Sequence, residues 1–143
     1  MLQRIERSGV RFIGLFLFCA LCVRVWAESS VWDGVYTNAQ AARGEALYAK
    51  NCASCHGDKL DGEGQAPPLA GSEFLKSWNN TTLFELFDRI QTDMPVDKPN
   101  SLPKGTNADI LAFVLKVNKF PAGSNPLIPD DALKSIRIQA ERK

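Results

Sequence analysis

The chain has 143 residues, with 17 basic and 16 acidic side chains and a formal charge of +1. That length gives room for one domain, and the near balance of charge with 45% hydrophobic residues excludes an extended disordered tail and a strongly basic nucleic-acid binder. Four cysteines, one histidine and two methionines are ordinary totals; their positions carry the chemistry.

Residues 1–11 carry Arg4, Arg7 and Arg11 against Glu6, and residues 12–23 (FIGLFLFCALCV) are apolar throughout. Val25-Trp26-Ala27 then offers small or β-branched groups where a signal peptidase reads, which completes the layout of a secretory signal peptide. A spanning helix needs about 20 apolar residues, and Arg24 ends this run early. Cleavage after Ala27 is therefore expected, with an uncleaved membrane anchor as the alternative. Cys19 follows Phe18 and Cys22 follows Leu21, so neither carries the small-residue box that lipidation requires. Cleavage would leave 116 residues and remove Arg4, Arg7, Arg11 and Arg24 together with Glu6, which turns +1 into −2. Only Cys52 and Cys55 would remain, and a four-cysteine disulfide framework disappears.

The expected organisation is a signal segment over 1–27, an arm over 28–39, a folded domain over 40–120 and an extension over 121–143. Strand-type alternation is almost absent, so the domain reads as mainly helical. The arm (ESSVWDGVYT over 28–37) is irregular, with Trp32 and Tyr36 expected on the surface of the fold. A first helix is predicted over residues 38–50, with Gly44, Leu47 and Tyr48 on one side. Glycine in a helix interior costs about 1 kcal/mol relative to alanine, which is repaid if another helix crosses closely there. Gly57, Gly62, Gly64, Pro67, Pro68 and Gly71 punctuate a loop over 57–71. Thr82-Leu83-Phe84-Glu85 has the spacing of a capping box, and Leu83, Leu86, Phe87 and Ile90 then share a helical face. Pro95, Pro99 and Pro103 exclude a regular helix over 94–104. A third helix follows over 107–117, with Ile110, Phe113, Val114 and Val117 inward. A short terminal helix is predicted over 130–138.

Cys52-Ala53-Ser54-Cys55-His56 is the C-x-x-C-H run of c-type haem attachment. Two thiols three positions apart on one turn can each add to a vinyl group of the same porphyrin, and the next residue sets an imidazole beneath the iron. Structural zinc needs about four ligands, which the exported part lacks, and no βαβ pattern accompanies the pair as a dithiol redox motif would require. A simple Cys52–Cys55 disulfide is the remaining alternative in an oxidising compartment. His56 is the single histidine, so bis-histidine ligation within the chain is excluded. Met94, in Thr92-Asp93-Met94-Pro95 after the second amphipathic helix, is the candidate sixth ligand. A thioether there stabilises ferrous iron and raises the potential. Met94 filling a core gap, with a lysine or water on the iron, is the alternative.

On CASCH, the downstream APPLAG and the late MP, residues 40–117 resemble a class I, mitochondrial-type monohaem cytochrome c of the bacterial exported kind. The resemblance implies an all-α cytochrome c fold, with three main helices around one covalently bound haem c, an irregular N-terminal arm and a short C-terminal helix. It implies that the early and late helices cross at a small residue beside an aromatic, here Gly44 and Tyr48 against Ile110 and Phe113. It also implies a proline carbonyl on the Nδ1–H of the proximal histidine, with Pro67 as the matching position and Pro68 as the alternative. Leu69, Phe74 and Leu86 become haem-pocket residues, and Trp78 either reaches a propionate or simply packs. VWDGVYT before the first helix, and APPLAG–F–W–TL–LF–MP within the domain, resemble cytochromes that accompany or are fused to quinoprotein (PQQ) alcohol and sugar dehydrogenases.

The function expected is that of a one-electron carrier in the periplasm of a Gram-negative bacterium, not an enzyme. Electrons would pass from a dehydrogenase, with a quinoprotein type as the candidate, to an oxidase or another cytochrome. A haem enzyme or gas sensor from which Met94 detaches is the alternative. No nucleic acid and no stable membrane span after cleavage are expected.

Overall fold

A computed structural model describes residues 28–142. The expected signal segment, 1–27, lies outside the described residues. Helix α1 (Asn38–Asn51) starts where the Thr37 hydroxyl accepts the Gln40 N–H, and it buries Gln40, Ala41, Gly44 and Tyr48 at helical spacing. Cys52 closes it by donating its N–H to the Tyr48 carbonyl, and a single turn, α2 (Ala53–His56), follows at once. Gly57, at φ +77, ends that turn in a conformation that glycine takes without steric cost.

Helix α3 (Gly71–Trp78) begins at the last residue of the predicted loop over 57–71 and fills a stretch to which the sequence assigned no element. It was not predicted because it spans only 8 residues, lacks a side-chain cap at Ala70 and buries Phe74 alone. Helix α4 (Leu83–Asp93) carries the expected capping box: Thr82 accepts from the Glu85 N–H, and Glu85 accepts from the Thr82 N–H at 2.6 Å. Leu83, Leu86 and Phe87 are buried, and Ile90 is half-buried.

Helix α5 (Lys104–Val117) begins three residues before the predicted start. Pro103 does not delay it. Proline needs no N–H at a helix start, and the Pro103 carbonyl accepts the Asn107 N–H at 3.1 Å.

α1 and α5 form the main contact of the fold, and they cross at Gly44. A Cβ on Gly44 would lie 1.9 Å from the Asp109 carbonyl oxygen and 3.0 Å from Phe113 Cβ. Beside the crossing the Tyr48 and Phe113 rings sit 5.4 Å apart, tilted by 50°. Arg43 grips Asp109 through two bonds of 2.8 and 2.9 Å. The arginine is largely exposed, so the pair adds little beyond orientation.

Both chain flanks depart from expectation. Tyr36 is buried and donates its hydroxyl to the Phe120 carbonyl at 2.7 Å. Trp32 is half-buried and donates its indole N–H to the Gln139 carbonyl at 2.9 Å, with its ring edge-on to Phe120 at 4.9 Å. In place of a terminal helix over 130–138 there is a 3-10 turn, Asp131–Ser135, followed by strand β2 (Ile136–Arg137). β2 pairs in parallel with β1 (Ser29–Ser30), with Ser29 opposite Ile136 and Ser30 opposite Arg137. The Gln40 amide behaves like a peptide group, donating to the Leu127 carbonyl and accepting its N–H at 2.9 and 2.8 Å. Arm and extension therefore brace one another across the back of α1. Among the described residues no helix is long and apolar enough to cross a membrane.

Candidate haem site

The end of α1 and the turn of α2 bring the chemical residues together. The N–H groups of Cys55 and His56 both bond to the Cys52 carbonyl, at 3.1 and 3.0 Å, which winds Cys52, Cys55 and His56 onto one turn. Both cysteines are free thiols, Cys52 half-buried and Cys55 exposed. Burial pushes the Cys52 thiol up to about 11, and Cys55 adds to the rise.

His56 is buried, and its Nδ1 lies 2.9 Å from the carbonyl oxygen of Pro67. A carbonyl only accepts, so Nδ1 carries the proton and Nε2 keeps its lone pair. That is the tautomer a metal-ligating imidazole needs. The loop that presents Pro67 is held at several points. Gly62 N–H bonds to the His56 carbonyl at 2.9 Å and Leu69 N–H to the Leu60 carbonyl at 2.8 Å. The Tyr48 hydroxyl donates to the Gly57 carbonyl at 2.7 Å, and burial chiefly pushes that hydroxyl up to about 12, so it remains a donor.

Sequence reasoning missed one member of this frame. Asn118, buried at the end of α5, donates to the Leu69 carbonyl at 2.9 Å and accepts the Gly71 N–H at 3.0 Å. It pins the far end of the loop to the α5 core. The signal available was a polar residue four positions after Val114, on the apolar stripe.

Phe74 and Leu86 are core residues, and Cys52, Leu69 and Trp78 pack against the same apolar cluster. Trp78 lies with its ring 6.4 Å from that of Phe74. Met94 stands apart from this cluster. It is half-buried at the C-cap of α4, where the irregular segment over 94–103 begins.

The donor set fits a covalently held haem. It offers two reduced thiols on one turn, an imidazole with its free nitrogen fixed by Pro67, and adjoining apolar and aromatic surface. Among the described residues no group of three or more His, Cys, Asp or Glu side chains could hold a metal ion by itself.

Comparison with known proteins places these features in context. The profile of the family described as cytochrome c oxidase, cbb3-type, subunit III matches residues 39–114, just over half of the chain. Cytochrome c-554(547) of Halothiobacillus neapolitanus is 51% identical over 39 residues, 26% of this chain and 43% of that protein. The chain thus spans under half the length of this curated relative. The crystal structure of the sulfane dehydrogenase SoxCD from Paracoccus pantotrophus superposes with a TM-score of 0.46 and 27% identity, over 66% of this chain and 53% of that one.

Proposed function

The chain belongs to this c-type cytochrome family, which brings covalent haem c and haem-based electron transfer, and from that premise we propose an exported one-electron carrier with His56 and Met94 as axial ligands. The observation that carries the reading is the 2.9 Å contact of His56 Nδ1 with the Pro67 carbonyl. It orients the ring and leaves Nε2 free to face a metal.

The haem supplies reversible one-electron chemistry when bound. Cys52 and Cys55 would hold it through thioethers from one turn. Leu69, Phe74, Trp78 and Leu86 provide apolar surface that excludes water, which favours the less charged ferrous state. Met94 supplies a thioether, which also favours ferrous iron. With His56 and Met94 both holding the iron, a change of oxidation state would require little rearrangement and would leave no site for substrate.

Residues 1–27, read as an export signal, support a periplasmic location. The arm and the domain motifs support a dehydrogenase, of quinoprotein type, as donor, with an oxidase or another cytochrome as acceptor. Such redox encounters use small interfaces.

Replacing Met94 with alanine tests the ligation. The reduction potential should fall by a sizeable part of the ~0.8 V range that axial ligands span, and the sixth position should open to added ligands. Unchanged absorption spectra in both oxidation states would show that Met94 is not the ligand.

A further inference from the structure

We propose that Gln91 is a positioning residue that holds the segment bearing Met94 in place, an inference that rests on the reading of Met94 as an iron ligand. Gln91 lies on α4, three residues before Met94, and its amide reaches both across the segment over 94–103 and into the helix beyond it. Its NH2 donates to Asn100 Oδ1 at 2.9 Å and to the Leu102 carbonyl at 3.2 Å. Its Oε1 accepts from Asn107 Nδ2 at 3.0 Å.

The direction of this chain of bonds is fixed from one end. The Leu102 carbonyl can only accept, so Gln91 must turn its NH2 toward the segment and its oxygen toward Asn107. Asn107 must then present its own NH2 to Gln91. The consequence is visible: Asn107 is fully buried, and its Oδ1 has no hydrogen-bond partner among the described residues. A buried acceptor without a partner is costly, and here it follows from the orientation that the clamp imposes.

The clamp also explains Asn100. Its φ is +57, a left-handed conformation in which asparagine is enriched, and from that turn it supplies the acceptor for Gln91. The segment over 94–103 leaves α4 at Met94 and rejoins the core at α5. Gln91 ties both ends together, with Asn107 anchoring it in the interior. Without the clamp, the segment keeps the packing of Leu102 on the core and the bond from the Lys98 N–H to the Pro95 carbonyl, but loses its tie to α4 beside Met94, and the Met94 sulfur would sample a larger volume.

The test uses the haem-loaded protein and follows displacement of the native sixth ligand by added imidazole, together with the long-wavelength charge-transfer absorption of methionine-ligated ferric haem. Gln91→Leu should speed displacement about tenfold, in line with the loss of its hydrogen bonds. Asn100→Gly, which tolerates the positive φ while deleting the acceptor, should speed it about threefold. Asn79→Ala, which removes a bond of the same kind to the Ala140 N–H far from this segment, should leave the rate unchanged. If Gln91→Leu does not fold, Gln91→Glu keeps the acceptor for Asn107 but loses both donors, and its displacement should be faster as well. Rates equal to those of the unsubstituted protein in the foldable Gln91 variant and in Asn100→Gly would overturn the inference while leaving Met94 ligation intact. Loss of the charge-transfer absorption in Met94→Ala keeps the ligand reading. Its persistence there would overturn that reading, and the clamp's role with it.

Discussion

Gly44→Ala should destabilise the haem-loaded protein by about 3 kcal/mol, at the upper end of what overpacking a core usually costs. Two effects oppose each other at this position. Alanine gains ~1 kcal/mol over glycine through helix propensity. Its Cβ, however, would stand 1.9 Å from the Asp109 carbonyl oxygen and 2.6 Å from the carbonyl carbon. These are backbone atoms of another helix and cannot turn aside as the tip of a side chain does. α1 and α5 would have to separate, loosening the Tyr48–Phe113 contact and shifting the end of α1 that carries Cys52. Thermal denaturation checks this. The midpoint should fall by on the order of 10 °C, as expected for such a loss in a domain of this size. A fall of less than about 2 °C would mean that the crossing yields easily.

Cys52→Ala combined with Cys55→Ala should abolish retention of haem by the denatured polypeptide. On the proposed attachment the effect is all or none, because the two thioethers would be the covalent link and His56 alone would give only a coordinate bond. A small domain has a limited core, so loss of the group should also reduce the amount of folded protein recovered. The check is haem staining after denaturing electrophoresis, with the protein produced alongside the c-type maturation machinery. The unsubstituted chain should stain, and the double variant should not. Staining of the double variant would place the attachment elsewhere.

The parts of the site that sequence conveyed are those where chemistry demands a residue type at a short spacing. Cys52, Cys55 and His56 are legible because thioether formation and proximal ligation fix both identities and intervals. The Thr82–Glu85 cap is legible because it is a local exchange of hydrogen bonds. Gly44 is legible because a glycine inside a helical stripe asks for a close neighbour. The carbonyl 2.9 Å from His56 belongs to Pro67, the position that the resemblance singled out, although its hydrogen bond uses a peptide oxygen that any residue could supply.

What escaped has a common physical character. Trp32, Tyr36 and Gln40 bind backbone groups of Gln139, Phe120 and Leu127, contacts that span 84 to 107 residues of chain. A backbone acceptor leaves no side-chain signature at its own position, so the bracing of arm against extension could not be read locally. The two-residue strands β1 and β2 are too short to show alternation. Asn118 and Gln91 are single amides that act through distant or irregular backbone, and helical periodicity records them only as interruptions. Helix α3 has an apolar face in Phe74, Leu75 and Trp78, but it is only 8 residues long and lacks a side-chain cap.

Carbon monoxide titration of the reduced, haem-loaded protein tests the central claim most directly. If His56 and Met94 occupy both axial positions, the ferrous protein should be inert to carbon monoxide on the timescale of mixing, while Met94→Ala should bind it at once. Rapid binding by the unsubstituted protein would contradict a six-coordinate electron carrier and favour a haem with an open or labile sixth site.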